Sequence, residues 1–195
     1  MDDTKSDSPY LTGKLLLAMP TLGDPRFHRA VIFMCAHDEN GAMGLVVNHE
    51  MPDVNFSSLL EQIGLSSEIT VDLKNQPLKV MSGGPVEPMR GLVLYSGEAL
   101  SGESVHIGGD FKVTGTIESL REIVQGKGPE ELIFVLGYSG WGAGQLEGEI
   151  KQNSWLVVDA EPEIIFNNDT GKIWERAVSK LGFDPAMLSG TAGRA

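Results

Sequence analysis

The sequence predicts an α+β protein built on one strongly curved mixed sheet. Three observations carry that expectation. Apolar runs of strand length and amphipathic stretches of helix length interleave irregularly, without the one-for-one alternation of a doubly wound sheet. The 24 glycines of the 195-residue chain scatter singly and in pairs rather than in a repeat, as many tight turns would require. Hydrophobic residues make up 41% and charged residues 22%, ordinary globular usage with room for a sizeable core. One domain over residues 10–188 is expected, with disordered tails at 1–9 and 189–195.

Residues 30–36 are apolar on both faces and read as a buried strand. Asp38, Glu39, Asn40 and Gly41 supply turn chemistry, and residues 43–48 form a second strand, so 30–48 is a hairpin. Asn55 caps a short helix over 56–63, with Phe56, Leu59, Leu60 and Ile63 inward and Gly64 beyond its end. Strands at 78–81 and 92–95 flank a sharp loop at 82–86. Residues 96–115 are rich in Gly, Ser and Glu, with one brief apolar stretch at 105–107, and are expected to be the flexible part. Thr116 caps a helix carrying Ile117, Leu120, Ile123 and Val124, which Gly126 and Gly128 end. A strand at 132–136 leads into a glycine-rich turn and then a helix over about 143–153. Residues 155–158 are a strand, and Pro162 starts a helical turn. The last helix spans 170–181, with Ile173, Trp174, Ala177, Val178 and Leu181 facing the core.

The net charge is −12, and the densest basic feature is Arg26 with Arg29. Binding to a phosphate backbone relies on clustered Lys and Arg, so direct DNA binding is disfavoured, as is an anionic membrane surface. No apolar run is long enough to span a bilayer. Cys35 is the only cysteine and has no internal disulfide partner, which suits a reducing compartment. The start of the chain is polar and acidic, unlike a secretory signal, so a cytoplasmic location is expected.

The most informative stretch is 137–150, with glycines and two aromatics ahead of a short amphipathic pattern. Gly137-Tyr138-Ser139-Gly140-Trp141 nearly fits the nucleophile elbow G-x-S-x-G, but Trp141 occupies the position that must be small. The last histidine, His106, precedes the motif, so a serine hydrolase lacks its later base. The glycine spacing also departs from G-x-G-x-x-G, and no Lys-Ser or Lys-Thr follows. What survives is a tight strand-to-helix turn plugged by Trp141, or an anion site on the amides of residues 142–145. The plugged turn is the preferred reading. Glu149 reads as part of a solvated helix face. Ser82-Gly83-Gly84-Pro85-Val86 is equally a nest of amides or a β-turn. Cys35 and His37, two apart in a strand, are the weak candidates for thiol catalysis. A buried inert cysteine is the preferred reading, and no metal-ligand spacing exists. Asp24 and Arg26 form a charge-paired turn, or else Arg26 and Arg29 face an anion.

Taken in order, several motifs resemble one family. They are residues 17–20 (Leu-Ala-Met-Pro), 24–27 (Asp-Pro-Arg-Phe), Cys35-Ala36-His37 with 41–48 (Gly-Ala-Met-Gly-Leu-Val-Val-Asn), Gly83-Gly84-Pro85-Val86, Arg90-Gly91 and 137–147. The chain is similar to the YqgE/AlgH family of bacterial cytosolic proteins from about residue 15 to 188. The resemblance implies a bifurcated sheet folded into a pseudo-barrel flanked by helices. It supplies no catalytic residues and no cofactor. One branch of the family is linked to transcriptional regulation of exopolysaccharide synthesis. Two positions depart from the usual pattern: Ser139, where members often carry alanine, and His49-Glu50, where many carry a basic residue and proline. The motif positions expected to converge on one ligand-binding surface are Asp24, Arg26, Gly83, Gly84, Pro85, Tyr138, Trp141, Gly144 and Gln145. The expected function is therefore a non-enzymatic regulatory or interaction protein that takes a small anionic ligand or a protein partner. The alternative is an enzyme using Cys35 and His37.

Overall fold

A computed structural model describes residues 9–73 and 78–188. Apart from Pro9, both expected tails lie outside the described residues. The strands are β1 (Lys14–Ala18), β2 (Val31–Asp38), β3 (Gly41–Val46), β4 (Val80–Ser82), β5 (Val86–Ser96), β6 (Ser104–Gly108), β7 (Phe111–Thr114), β8 (Leu132–Gly142) and β9 (Trp155–Asp159). The helices are α1 (Phe56–Gln62), α2 (Ile117–Val124), α3 (Gln145–Lys151), α4 (Pro162–Ile165) and α5 (Ile173–Lys180).

The strands join in one sheet with the order β6-β7-β5-β8-β3-β2-β1-β9, and β4 pairs off that path with β8. β4 runs parallel to β8 and the other pairs are antiparallel, so the sheet is mixed. The fork sits on β8. Its first half, around Phe134–Leu136, lies between β5 and β4, whereas Ser139 to Gly142 pair with β3. The sheet curls into a half-barrel: Phe33 on β2 meets Phe111 on β7 with ring centroids 4.9 Å apart, although three strands separate β2 from β7 in the hydrogen-bonded order. The α+β class and the bifurcated, strongly curved sheet are thus as the sequence and the resemblance led us to expect.

Among the described residues, three apolar clusters hold the fold. Leu15, Leu17, Phe33, Leu45, Val135 and Leu94 fill the concave side, with Trp174, Ala177 and Val178 of α5 packed against them. Phe56 and Leu60 of α1 and Val124 of α2 cover Val93, Tyr95 and Phe134. Leu146 of α3 packs with Trp141 and Trp155 over Leu16, Ile32 and Met34. Caps fall where side-chain chemistry places them. Asn55 accepts from the Ser57 N–H at 2.8 Å, and Thr116 from the Ser119 N–H at 3.3 Å.

Several expectations are corrected. β1 adds a strand to those expected: all five of its residues pair with β9, and Leu15, Leu16 and Leu17 pair with β2 on the other side. Residues 137–142 continue β8 instead of turning; they pair with β3, where position 41 must be glycine because a Cβ there would strike the Trp141 carbonyl oxygen. The turn comes later, at Gly144, and α3 is shorter than expected. Residues 104–114 form the β6–β7 hairpin rather than an irregular stretch. Ile63 and Leu181 face outward, since each sits at the C-terminal boundary of its helix rather than on its packed face.

Candidate functional site

The loop between β4 and β5 lies flat on β8. The Gly83 N–H donates to the Leu136 carbonyl at 2.8 Å, the Gly83 carbonyl accepts from Val46 N–H at 2.9 Å, and Val86 pairs with Tyr138. A Cβ at Gly83 would strike the Gly137 carbonyl oxygen, and one at Gly84 the backbone of Tyr138. Gly83, Gly84, Pro85 and Tyr138 therefore do come together. They meet backbone on backbone, which leaves no space between them for a ligand.

β5 starts irregularly beyond this contact. Its register with β8 shifts between Val86 and Gly91, and Glu87 holds a positive φ of 44°. Glu87 accepts the Tyr138 hydroxyl proton in a hydrogen bond, and that bond, more than the phenol's own burial, holds the Tyr138 pKa above its ordinary value. The same carboxylate accepts from Arg90 Nη1 at 3.1 Å. Arg90 stands at the mouth of a cavity of about 390 Å³. Met43, Leu92, Val105, Ile107 and Val113 make its apolar lining, Cys35 and Ala36 form one wall, and Glu103 lies at the rim. This is the open seam of the half-barrel, where Cys35 and Ala36 of β2 and Met43 of β3 face β6 and β7.

Cys35 and His37 are not brought together. β2 bulges between Met34 and Ala36, so the extra residue, Cys35, stays with Val31 and Phe33 in the concave cluster. Its thiol donates to the Phe33 carbonyl at 3.8 Å, and burial pushes its pKa up to about 12. His37 turns to the other face, with only 2% of its side chain exposed. Its Nδ1 accepts from the Leu11 N–H at 3.0 Å, which fixes the proton on Nε2, and Nε2 donates to Glu147 at 3.0 Å. Glu147's own backbone N–H, and then this histidine, hold the Glu147 pKa below the usual carboxylate range. His37 thus ties the segment before β1 to α3; its ring and that of Tyr10 stand edge to face with centroids 5.2 Å apart.

The remaining predicted positions gather on the convex side, around a residue the sequence reading had placed in solvent. Glu149 Oε2 accepts from the indole of Trp141 at 3.0 Å and from that of Trp155 at 2.7 Å. Its Oε1 accepts from the Gln145 side-chain amide at 2.9 Å, and Gln145 Oε1 accepts from the Gly142 N–H at 3.0 Å. Gly144 supplies the left-handed N-cap of α3 at φ 72°. Glu149 is the hub that fastens α3 to β8 and β9. The available signal was a Gln–Glu pair at i, i+4 between two tryptophans. Phe27 packs edge-on against Trp155 at 5.8 Å, which brings the Asp24 turn to the border of this cluster. There Asp24 and Arg26 satisfy each other: Nη2 donates to Oδ2 at 2.6 Å, and the Arg26 hydrogen bonds lower the Asp24 pKa. The nine predicted positions therefore split between the β4–β5 loop crossing and the tryptophan cluster. Among the described residues, no three His, Cys, Asp or Glu side chains are grouped to hold a metal ion.

A family model described as AlgH-like matches residues 15–186. A UPF0301 protein of Ruegeria pomeroyi is 49% identical over 187 residues, 95% of this chain and 99% of that protein. One of Beijerinckia indica is 45% identical over 199 residues, 100% of this chain and 97% of its own length. The solution structure of the AlgH protein from Pseudomonas aeruginosa superposes with a TM-score of 0.77 at 35% identity, covering 98% of this chain and all of that one. A crystal structure from Corynebacterium diphtheriae has the same fold at 19% identity, with a TM-score of 0.72 over 94% of this chain and 91% of the other.

Proposed function

The chain belongs to the AlgH-like family, and from that premise we propose that it is a non-catalytic regulatory protein whose ligand seats in the seam of the half-barrel. One observation carries this reading: a cavity of about 390 Å³ is apolar along its walls and has a single guanidinium, Arg90, at its mouth. Such a site suits a small amphipathic anion, with the apolar body against Met43, Leu92 and Val113 and the charged end on the free edge of Arg90. The Cys35 thiol in the wall is protonated and hydrogen-bonded to Phe33, so it contributes surface rather than a nucleophile. The regulation that the family resemblance implies then works through ligand-dependent contact with a protein partner. A chain of net charge −12 is poorly suited to gripping DNA itself. A cytoplasmic site of action fits a helix set in which, among the described residues, none is long and apolar enough to cross a membrane.

The test uses octanoate as the probe. Binding to the native state alone raises stability by about 2.7 kcal/mol at a hundredfold excess over Kd, which a thermal melt registers as a rise in Tm. Arg90→Gln should weaken the effect by about tenfold, the loss expected when a charged hydrogen bond goes. Val105→Asp should abolish it by placing a carboxylate on the apolar wall. A melting curve of the wild-type chain that octanoate leaves unmoved overturns the proposal.

A further inference from the structure

Arg29 has a backbone conformation that L-residues avoid, with φ at 49° just before β2. The surrounding chain holds it there. Asn48 Nδ2 donates to the Arg29 carbonyl at 2.8 Å while Asn48 Oδ1 accepts from the Val31 N–H at 2.8 Å. His49 Nε2 donates to the neighbouring His28 carbonyl at 2.9 Å. Two consecutive side chains beyond β3 thus brace two consecutive carbonyls. Strain maintained by dedicated partners is characteristic of ligand clamps.

The brace presents the Arg29 guanidinium over the Trp174 ring, with its carbon 5.1 Å from the ring centroid. Trp174 is 2% exposed, and its indole donates to the Ala18 carbonyl at 3.0 Å, so the ring is a fixed platform. One nitrogen, Nη1, reaches Glu175 at 3.2 Å. Beside the guanidinium opens a cavity of about 270 Å³ lined by Met19, Pro20, Leu22 and His28. A cation held over an aromatic, with an apolar floor next to it, is complementary to an oxyanion on an apolar body.

We propose that the Arg29–Trp174 cleft is a second binding site, for a small carboxylate or phosphate ester that carries an aromatic or aliphatic group. The oxyanion takes the donor edge of Arg29 that Glu175 leaves free, and the apolar group lies on Met19, Pro20 and Leu22. Glu175 competes with the ligand for the same guanidinium and so sets the affinity. The site shares no lining residue with the seam around Arg90.

The test titrates the full-length ¹⁵N-labelled chain with benzoate and, separately, phenyl phosphate. The chain has three tryptophans, so each indole N–H is a separate reporter. The Trp174 signal should shift saturably with one or both probes, while those of Trp141 and Trp155, held by Glu149, stay in place. The better probe tells which oxyanion the site prefers. Glu175→Gln should tighten binding by about threefold or more, since it removes the competing charge. Arg29→Gly should melt no lower than wild type, because glycine adopts this φ freely, yet bind at least about tenfold more weakly. The proposal is overturned if the Trp174 signal ignores both probes up to about 10 mM, a concentration at which even weak association shows. It is equally overturned if Arg29→Gly binds as wild type or if Glu175→Gln leaves the affinity unchanged. Should Arg29→Gly fail to fold, the Glu175→Gln comparison still decides. Failure here leaves the seam reading untouched, because octanoate is read there through Arg90.

Discussion

Glu149 joins three donors from three places in the chain, so its loss should exceed that of an exposed carboxylate. Glu149→Ala strands the Trp141 and Trp155 indoles and should cost about 1.5–3 kcal/mol, the range for hydrogen bonds to a charged group. Glu149→Gln should lose less, since its amide oxygen still accepts while its NH₂ must face one donor. Chemical denaturation of both variants checks the order. Cys35 gives a pH-dependent expectation. Its folded pKa of about 12 lies above the ordinary 9.0, so in alkali the unfolded chain releases this proton while the folded chain keeps it. The stabilisation is fully present below pH 9.0 and falls away as pH rises towards 12. The slope is about 1.4 kcal/mol per pH unit, measured as the difference between wild type and Cys35→Ala in alkaline denaturation. Reading the sequence placed Cys35 correctly, because its neighbours Val31 and Phe33 announce a buried face. It misplaced Glu149, because a carboxylate on a short helix is usually solvated and only the fold shows two indoles arriving at it.

At the scale of elements, the crossing of the β4–β5 loop over β8 is the tightest backbone contact near the seam. Gly84→Ala must put a methyl group into the Tyr138 backbone at a φ of 150°, and should destabilise by more than about 3 kcal/mol or prevent folding. Gly148→Ala in α3 is the control. Nothing lies within 4 Å of its added Cβ, so it should stabilise by about 0.5–1 kcal/mol through helix propensity alone. Thermal melts of the two variants should move in opposite directions. The helices were largely legible because their caps are local: Asn55 and Thr116 act within three residues. β1 and the second half of β8 were not. A Leu-Leu-Leu run carries no alternation, and a strand rich in glycine looks like a turn until its partner is known to be equally glycine-rich. The β6–β7 hairpin was hidden because β6 is a five-residue edge strand with none of its residues buried, Val105 and His106 being exposed between Ser104 and Ile107.

For the whole molecule, the net charge of −12 yields the plainest expectation. Titration with duplex DNA should show no retention even near about 50 mM salt, where counterion release most favours association. The fork at β8 has a consequence for how the chain is made. Residues 132–142 complete pairings with β3, about a hundred positions earlier, and with β4 and β5. Until that strand leaves the ribosome, the β2–β3 hairpin and β4 lack the neighbour that joins them, and the apolar faces of three earlier segments stay open. Long-range pairing of this kind slows folding and exposes intermediates to aggregation. The nascent chain should therefore remain a chaperone client for more than two thirds of its synthesis, and become protease-resistant in one late step rather than by degrees.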